Sequence, residues 1–333
     1  MFKQSKLVSA LAVAGVALFG ATAAHAQIIK IDGSSTVYPI TEAVAEEFQK
    51  AKKNAIKVTV GISGTGGGFK KFCRDELDLS GASRPITAKE MADCKAAGVE
   101  YIEMPVAYDA LTIVINPKNA FLKQVTVEEM KKLWEPAAQG VVMKWNQVNP
   151  AWPDAPVKLF GAGADSGTFE YFTEAMVGKA KSSRGDYTAS EDDNVLVQGV
   201  SRDVNAIGYF GYAYYAENMA RLKGLPVVNP KTGKAVEPSG ANVENGSYAP
   251  LSRPIFVYVK AKSLQKPEVR EFVEFYMKNA DKLVREVKYV PLPKAAYEGN
   301  IKHAKDNKVG TVFGGKNEIG ITVEEILKRE AKM

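Results

Sequence analysis

Three observations predict an α/β chain folded as two lobes. Short runs rich in Ile and Val alternate with segments whose apolar residues recur at helical spacing. Glycine and small hydroxyl residues crowd three of the junctions at which a strand gives way to a helix. Two long β-rich segments, 108–117 and 249–260, bracket a stretch that has a set of elements of its own.

Taken in order, IIKIDG (28–33) reads as a strand and ITEAVAEEFQKA (40–51) as the helix after it; AIKVTVGIS (55–63) and GGFKKFCRDEL (67–77) repeat the pair. LDLSGASRPIT (77–87) ends a further apolar strand, and YDALTIVINP (108–117) is a long one stopped by Pro117. The bracketed stretch holds the helix VTVEEMKKLW (125–134), the tryptophan- and proline-rich WNQVNPAWPDAPVKLFGAG (145–163), the helix TFEYFTEAMV (168–177) and the aromatic strand NAIGYFGYAYYA (205–216). APLSRPIFVYVK (249–260) is the second long strand, followed by the helix KPEVREFVEFYMKNADKLVREV (266–287) and a tail. Strands alternating with helices imply a parallel sheet with helices on its faces.

Residues 1–26 have a short basic start at Lys3 and Lys6, an apolar middle and a small-x-small end at Ala24-His25-Ala26. That pattern predicts an export leader, cut after Ala26, and hence a periplasmic or otherwise exported chain of 333 − 26 = 307 residues. A single core stops growing at roughly 250–300 residues, which favours two lobes. The expected division places 27–115 with 255–333 in lobe I and 116–254 in lobe II, the long strands crossing between them beside a cleft.

Cutting the leader removes two lysines and no acid, so the formal charge falls from +6 to 6 − 2 = +4. Acids interleave with the lysines throughout, as in EEFQKAKK, so no dense basic block for nucleic acid is present. Cys73 and Cys94 survive processing, and two cysteines in an exported chain predict one structural disulfide.

The three junctions are DGSSTVYP (32–39), GISGTGGG (61–68) and GADSGTFEYF (163–172). In a parallel sheet such loops gather at the carboxyl edge, where the helices begin. A helix's first turn carries unpaired N–H groups and about half a positive charge, which attract an anion. Glycine lets the backbone come close, and hydroxyls add donors. Helix capping by Ser35, Thr36, Asp165, Ser166 or Thr168 would account for any one junction; three in one chain point to a shared ligand. Arg84, just after Gly81-Ala82-Ser83 at a strand end, adds a fork of donors matched to a tetrahedral oxyanion, unless it lies on the surface. Four to six charge-assisted bonds at about 1.5–3 kcal/mol, with three helix ends at up to about 1 kcal/mol each, exceed the association cost by the roughly 8 kcal/mol of micromolar binding.

Catalysis lacks its parts. After loss of His25 only His303 is left, read as a solvated residue of KHAKDNK, so Ser166 has no base; no GxxxxGK[ST] loop and no metal-ligand spacing exist. No enzyme, cofactor or metal is expected.

DGSSTVYP, GISGTGGGFKKF, LSGASRPIT and GADSGTFEYF, in this order, resemble the periplasmic phosphate-binding proteins of ABC uptake systems, a likeness that extends through NAIGYFGYAYY and PLSRPIFVYV. The resemblance implies the periplasmic binding-protein fold (type II-like) of two α/β lobes, a monomer that closes on inorganic phosphate and hands it to a membrane permease. It also implies a ligand set: Ser35, Thr36 and the Val37 backbone from the first turn, Ser63 or Thr65 from the glycine loop, and Ser166, Gly167 and Thr168 from the other lobe. Better-known members place an aspartate after the Gly-Ala-Ser run and an arginine shortly before Ser-Gly-Thr; here Arg84 stands at the first place and Ala162 near the second. Asp165 is the nearest acid in these motifs to take the ligand's proton, so sulfate, molybdate or a phosphonate is an alternative guest. A secreted phosphatase or adhesin on the same fold is the alternative of another class.

Overall fold

The computed structural model describes residues 27–332 except 35, 165, 191, 317 and 319. The leader, Ser35 and Asp165 therefore lie outside the described residues. The first part of the chain contains β1 (Gln27–Gly33), α1 (Tyr38–Ala51), β2 (Ile56–Val60), α2 (Gly64–Cys73), β3 (Leu79–Ala82), α3 (Ala88–Ala96) and the 15-residue β4 (Tyr101–Ile115). The middle contains α4 (Val127–Trp134), α5 (Trp145–Val148), β5 (Lys158–Ala162), α6 (Gly167–Phe172), β6 (Thr188–Ser190), α7 (Asp193–Arg202), β7 (Ala206–Gly211), α8 (Tyr212–Glu217), the two-residue strands β8 (Lys223–Gly224), β9 (Val227–Val228) and β10 (Ala235–Val236), and α9 (Gly240–Glu244). The last part contains β11 (Ser252–Lys260), α10 (Pro267–Glu286), α11 (Lys294–Lys305) and α12 (Val323–Glu330).

One curled sheet runs β2-β1-β3-β11-β4-β7-β5-β6. Its flanks are parallel, β1 with β2 and β3 on one side and β5 with β6 and β7 on the other. Its centre is antiparallel, because β11 runs against both β3 and β4, and β4 against β7. The parallel sheet expected from the alternation thus gives way to antiparallel pairing where the long strands cross. Along β4, Tyr101–Ala110 pair with β11 and Leu111–Ile115 with β7, so this single strand belongs to both halves of the fold.

Helix α1 buries Ile40, Val44 and Phe48, a four-residue spacing that lays one apolar stripe on the sheet, and Pro39 occupies its first turn. Glycine sets the position of α2. A Cβ at Gly68 would come 2.6 Å from Gly33 Cα and from Ser80 Oγ, so only a bare backbone lets the helix rest on β1 and β3. Cys73 and Cys94 form the disulfide that ties the end of α2 to α3.

Three elements differ from expectation. β4 begins seven residues before Tyr108, through a segment that contains Pro105; a register shift near Ile255/Phe256 of β11 accommodates it. The aromatic strand at 205–216 stops at Gly211, the last residue paired with β4, and Tyr212–Glu217 turn into α8. TFEYFTEAMV widens after Phe172 into a π turn, Thr173–Val177, where the Thr173 hydroxyl reaches the carbonyls of Phe169 and Glu170 and accepts from Lys181 N–H.

Candidate functional site

A cleft of about 560 Å³ opens between the two halves. Thr36 and Pro39 at the start of α1 line it from one side, and Ser166, Gly167 and Thr168 at the start of α6 line it from the other. Tyr108, Asp109 and Ala110, where β4 passes between the halves, also line the cleft. The first and third glycine-hydroxyl junctions therefore face one space.

Their local geometry follows from capping. Thr36 N–H donates to Ser34 Oγ at 3.2 Å, and the buried Val37 caps α1 with its N–H 3.2 Å from Ser34 O. Ser166 Oγ caps α6 by accepting Thr168 N–H at 3.1 Å, and Gly167 opens the helix. Capping and ligand binding are compatible here, since a cap satisfies one amide and leaves others of the first turn unpaired.

The glycine loop divides in two. Ser63 is exposed and donates to Asp32 Oδ1 at 2.6 Å, while Lys71 Nζ holds Asp32 Oδ2 at 2.5 Å. Burial pushes the Asp32 carboxyl up, but Lys71, Ser63 and Gly33 N–H outweigh it and hold it below the usual carboxylate range. Thr65 instead turns toward the Gly-Ala-Ser run: its Oγ1 lies 3.0 Å from Ser83 Oγ and accepts Ser83 N–H at 3.1 Å.

Arg84 follows directly and is not a free surface residue. Its Nη1 and Nη2 grip Glu90 Oε2 and Oε1, both at 2.9 Å, and Nη1 also reaches Pro85 O at 3.0 Å. Glu90 closes the capping box of α3 with Thr87, so the arginine is fixed through a helix start. Burial acts to lower the guanidinium's pKa, but Glu90 more than compensates and raises it. Arg84 lines a second, narrow cavity of about 20 Å³ with Ser83, Tyr171, Glu174 and Arg253.

Asp109, on the cleft, and Tyr171 and Arg253, on the narrow cavity, are absent from the ligand set that the sequence predicts. A textual signal existed, because Ser-Arg-Pro-Ile occurs twice, at 83–86 and 252–255, and each copy puts its arginine on the narrow cavity. His303 departs from the solvated position expected of it: its side chain is 13% exposed, with Nδ1 3.9 Å from Glu330 Oε2, and burial lowers its pKa. Among the described residues no group of three or more His, Cys, Asp or Glu could hold a metal ion, and no helix is long and apolar enough to cross a membrane.

Residues 20–280 match the model of the PBP superfamily domain. Protein SphX of Synechococcus elongatus is 50% identical over 98% of this chain and 97% of its own length. The phosphate-binding protein PstS of Staphylococcus haemolyticus is 38% identical over 83% of this chain and 84% of its own. Among solved structures, a possible phosphate binding protein from Planctomyces limnophilus is 52% identical with a TM-score of 0.77, covering 84% of this chain and 98% of that one. An ABC-type phosphate transport receptor from Vibrio cholerae, 21% identical with a TM-score of 0.64 over 79% of this chain and 99% of that one, shares the fold. The two-lobed α/β architecture, the paired glycine-hydroxyl turns and these relatives agree: the chain belongs to the PBP superfamily, among the PstS-type phosphate-binding proteins.

Proposed function

We propose that this protein is an exported receptor that captures inorganic phosphate in the interlobe cleft and delivers it to the permease of an ABC transporter, without catalysing a reaction on it. One observation carries the reading: the starts of α1 and α6, from opposite halves of the fold, face each other across a single cleft. Two helix starts aimed at one space supply amides and positive dipole ends for a tetrahedral anion. Relatives named for phosphate binding, which align along most of the chain, support the choice of guest.

In this reading the anion takes donors from Ser35, Thr36 and Val37 N–H, from Thr65 with Ser63 nearby, and from Ser166, Gly167 and Thr168, with Arg84 supplying charge. Asp165 accepts the proton of hydrogen phosphate. Lobe I comprises 27–115 with 255–333 and lobe II 116–254; closure about β4 and the entry to β11 forms the surface that the permease reads. The protein acts as a monomer in the periplasm after the leader is cut behind Ala26.

Native mass spectrometry of the purified protein should find one phosphate per chain, and calorimetry should give at least micromolar affinity with sulfate far weaker. Equal affinity for sulfate, or hydrolysis of a chromogenic phosphoester, would overturn the reading.

A further inference from the structure

Two arginines line the narrow cavity beside the cleft, and they are held in different ways. Arg84 spends both terminal nitrogens on the two oxygens of Glu90 at 2.9 Å, the fork-to-fork geometry of a strong pair. Arg253 has no such grip. Its Nε and Nη2 share one oxygen of Asp109 at 3.3 Å each, and its Nη1 stands 3.9 Å from Glu174, beyond hydrogen-bond reach. The guanidinium lies instead over the Tyr171 ring, 3.7 Å from the centroid.

Position matters as much as loose pairing. Asp109 and Arg253 are register partners on β4 and β11, strands that meet at the hinge, and Asp109 lines the same cleft as Thr36 and Thr168. Tyr171 stands three residues after Thr168 on α6, roughly 4.5 Å along the helix axis. Arg253 therefore stacks within about one turn of the α6 start. The narrow cavity between it and Arg84 exceeds the roughly 10–15 Å³ that one water needs, so a small polar group can stand between the two guanidiniums.

We propose that Arg253 is a second cationic arm of the anion site, exchanging its long contacts to Asp109 for an oxygen of the bound tetrahedral anion. The proposal rests on the phosphate reading above. Asp109 is then the counter-charge that keeps Arg253 in the hinge while the cleft is empty. Exchange is favoured where the shorter bonds an anion offers outweigh both the 3.3 Å contact shared on one oxygen and the cost of leaving the buried Asp109 with weaker pairing. Tyr171 keeps the guanidinium plane aimed during the exchange, since a stacked arginine slides in its plane more easily than it leaves the ring.

The test is phosphate calorimetry on the full chain with Arg253→Lys, Arg253→Ala and Asp109→Asn, with a melting curve for each. Lysine keeps the charge but loses the fork, so R253K should bind at least tenfold more weakly while melting near the wild type. D109N keeps the shape and removes the competing charge, so it should bind about three- to tenfold more tightly. A merely structural Arg253 would move melting alone. Unchanged dissociation constants for R253K and R253A would overturn the proposal, as would weaker binding by D109N. Failure of the underlying phosphate reading is a separate outcome, because it appears as absent heat in the wild type.

Discussion

Replacing Arg84 by alanine probes the anion site most directly. Arg84 lines the narrow cavity beside the cleft, and its guanidinium is held by a two-oxygen fork from Glu90, so under the proposed function the mutation has two consequences. One proposed charge-assisted donor to the anion disappears, worth about 1.5–3 kcal/mol. The Glu90 carboxylate, whose side chain is 14% exposed, also loses the partner that offset its burial and then opposes a second negative charge nearby. Together these set the loss near 3 kcal/mol, or about a hundredfold in dissociation constant. Calorimetry with phosphate at fixed ionic strength reads the change, and circular dichroism verifies that α3, whose capping box survives, still forms. Glu90→Gln is the counterpart: it leaves Arg84 charged and less tightly held, and should tighten binding. Wild-type affinity in R84A would show that the anion never meets this guanidinium, and the assignment would fall.

Stability should decline as pH rises from about 4.5 to about 7. Glu103, buried beside Tyr258 and Thr311, and Glu330 are both pushed up to about 7 by burial, so the neutral forms stabilise the fold fully below the ordinary value of 4.5 and that gain is lost as pH climbs through 7. For Glu103 the shift corresponds to about 3 kcal/mol, and Glu103→Gln should flatten the denaturant midpoint over this range. Reducing Cys73–Cys94, which spans 21 residues, should lower unfolding free energy by about 3 kcal/mol, measured by urea titration with and without reductant. Gly68→Ala should displace α2 from β1 and β3, because its Cβ would lie 2.6 Å from Gly33 Cα; a loss of several kcal/mol in urea together with weaker phosphate binding is expected, and a fully stable variant would contradict the packing argument.

Much of this fold is legible in the chain because its signals are local. Ile40, Val44 and Phe48 announce α1 by spacing, and the glycines of 61–68 mark a place where helix and sheet touch backbone to backbone. The antiparallel centre was not legible, since nothing within 249–260 states the direction in which β11 enters the sheet. Tyr212–Glu217 misled through residue type: aromatic residues suit a strand, yet β7 runs out of partner at Gly211 and the chain coils. At the site, the turns carried their own capping chemistry and could be read singly. The partner of Arg253 could not, because Asp109 reaches it across 144 positions and becomes its neighbour only through strand register.

The cleft's charges are largely cancelled in place, and that bears on how the ligand arrives. Lys288 is matched by Glu217 at the cleft lip, and in the narrow cavity beside the cleft Arg253 is matched by Asp109, with Glu174 close by, and Arg84 by Glu90. Such a wall presents no net positive field to a distant anion, whereas steered association needs uncancelled charge of one sign and gains about 10–10³-fold from it. In the proposed reading attraction arises at contact, from amides at the starts of α1 and α6 and from Arg253 exchanging partners, over distances shorter than the roughly 10 Å Debye length at 0.1 M salt. The association rate for phosphate, followed by stopped-flow tyrosine fluorescence, should therefore change less than about threefold between 0.02 and 0.5 M salt, far below the steered range. A steep fall with salt would mean that a long-range cationic funnel operates, and the paired-charge account of the cleft would have to be abandoned.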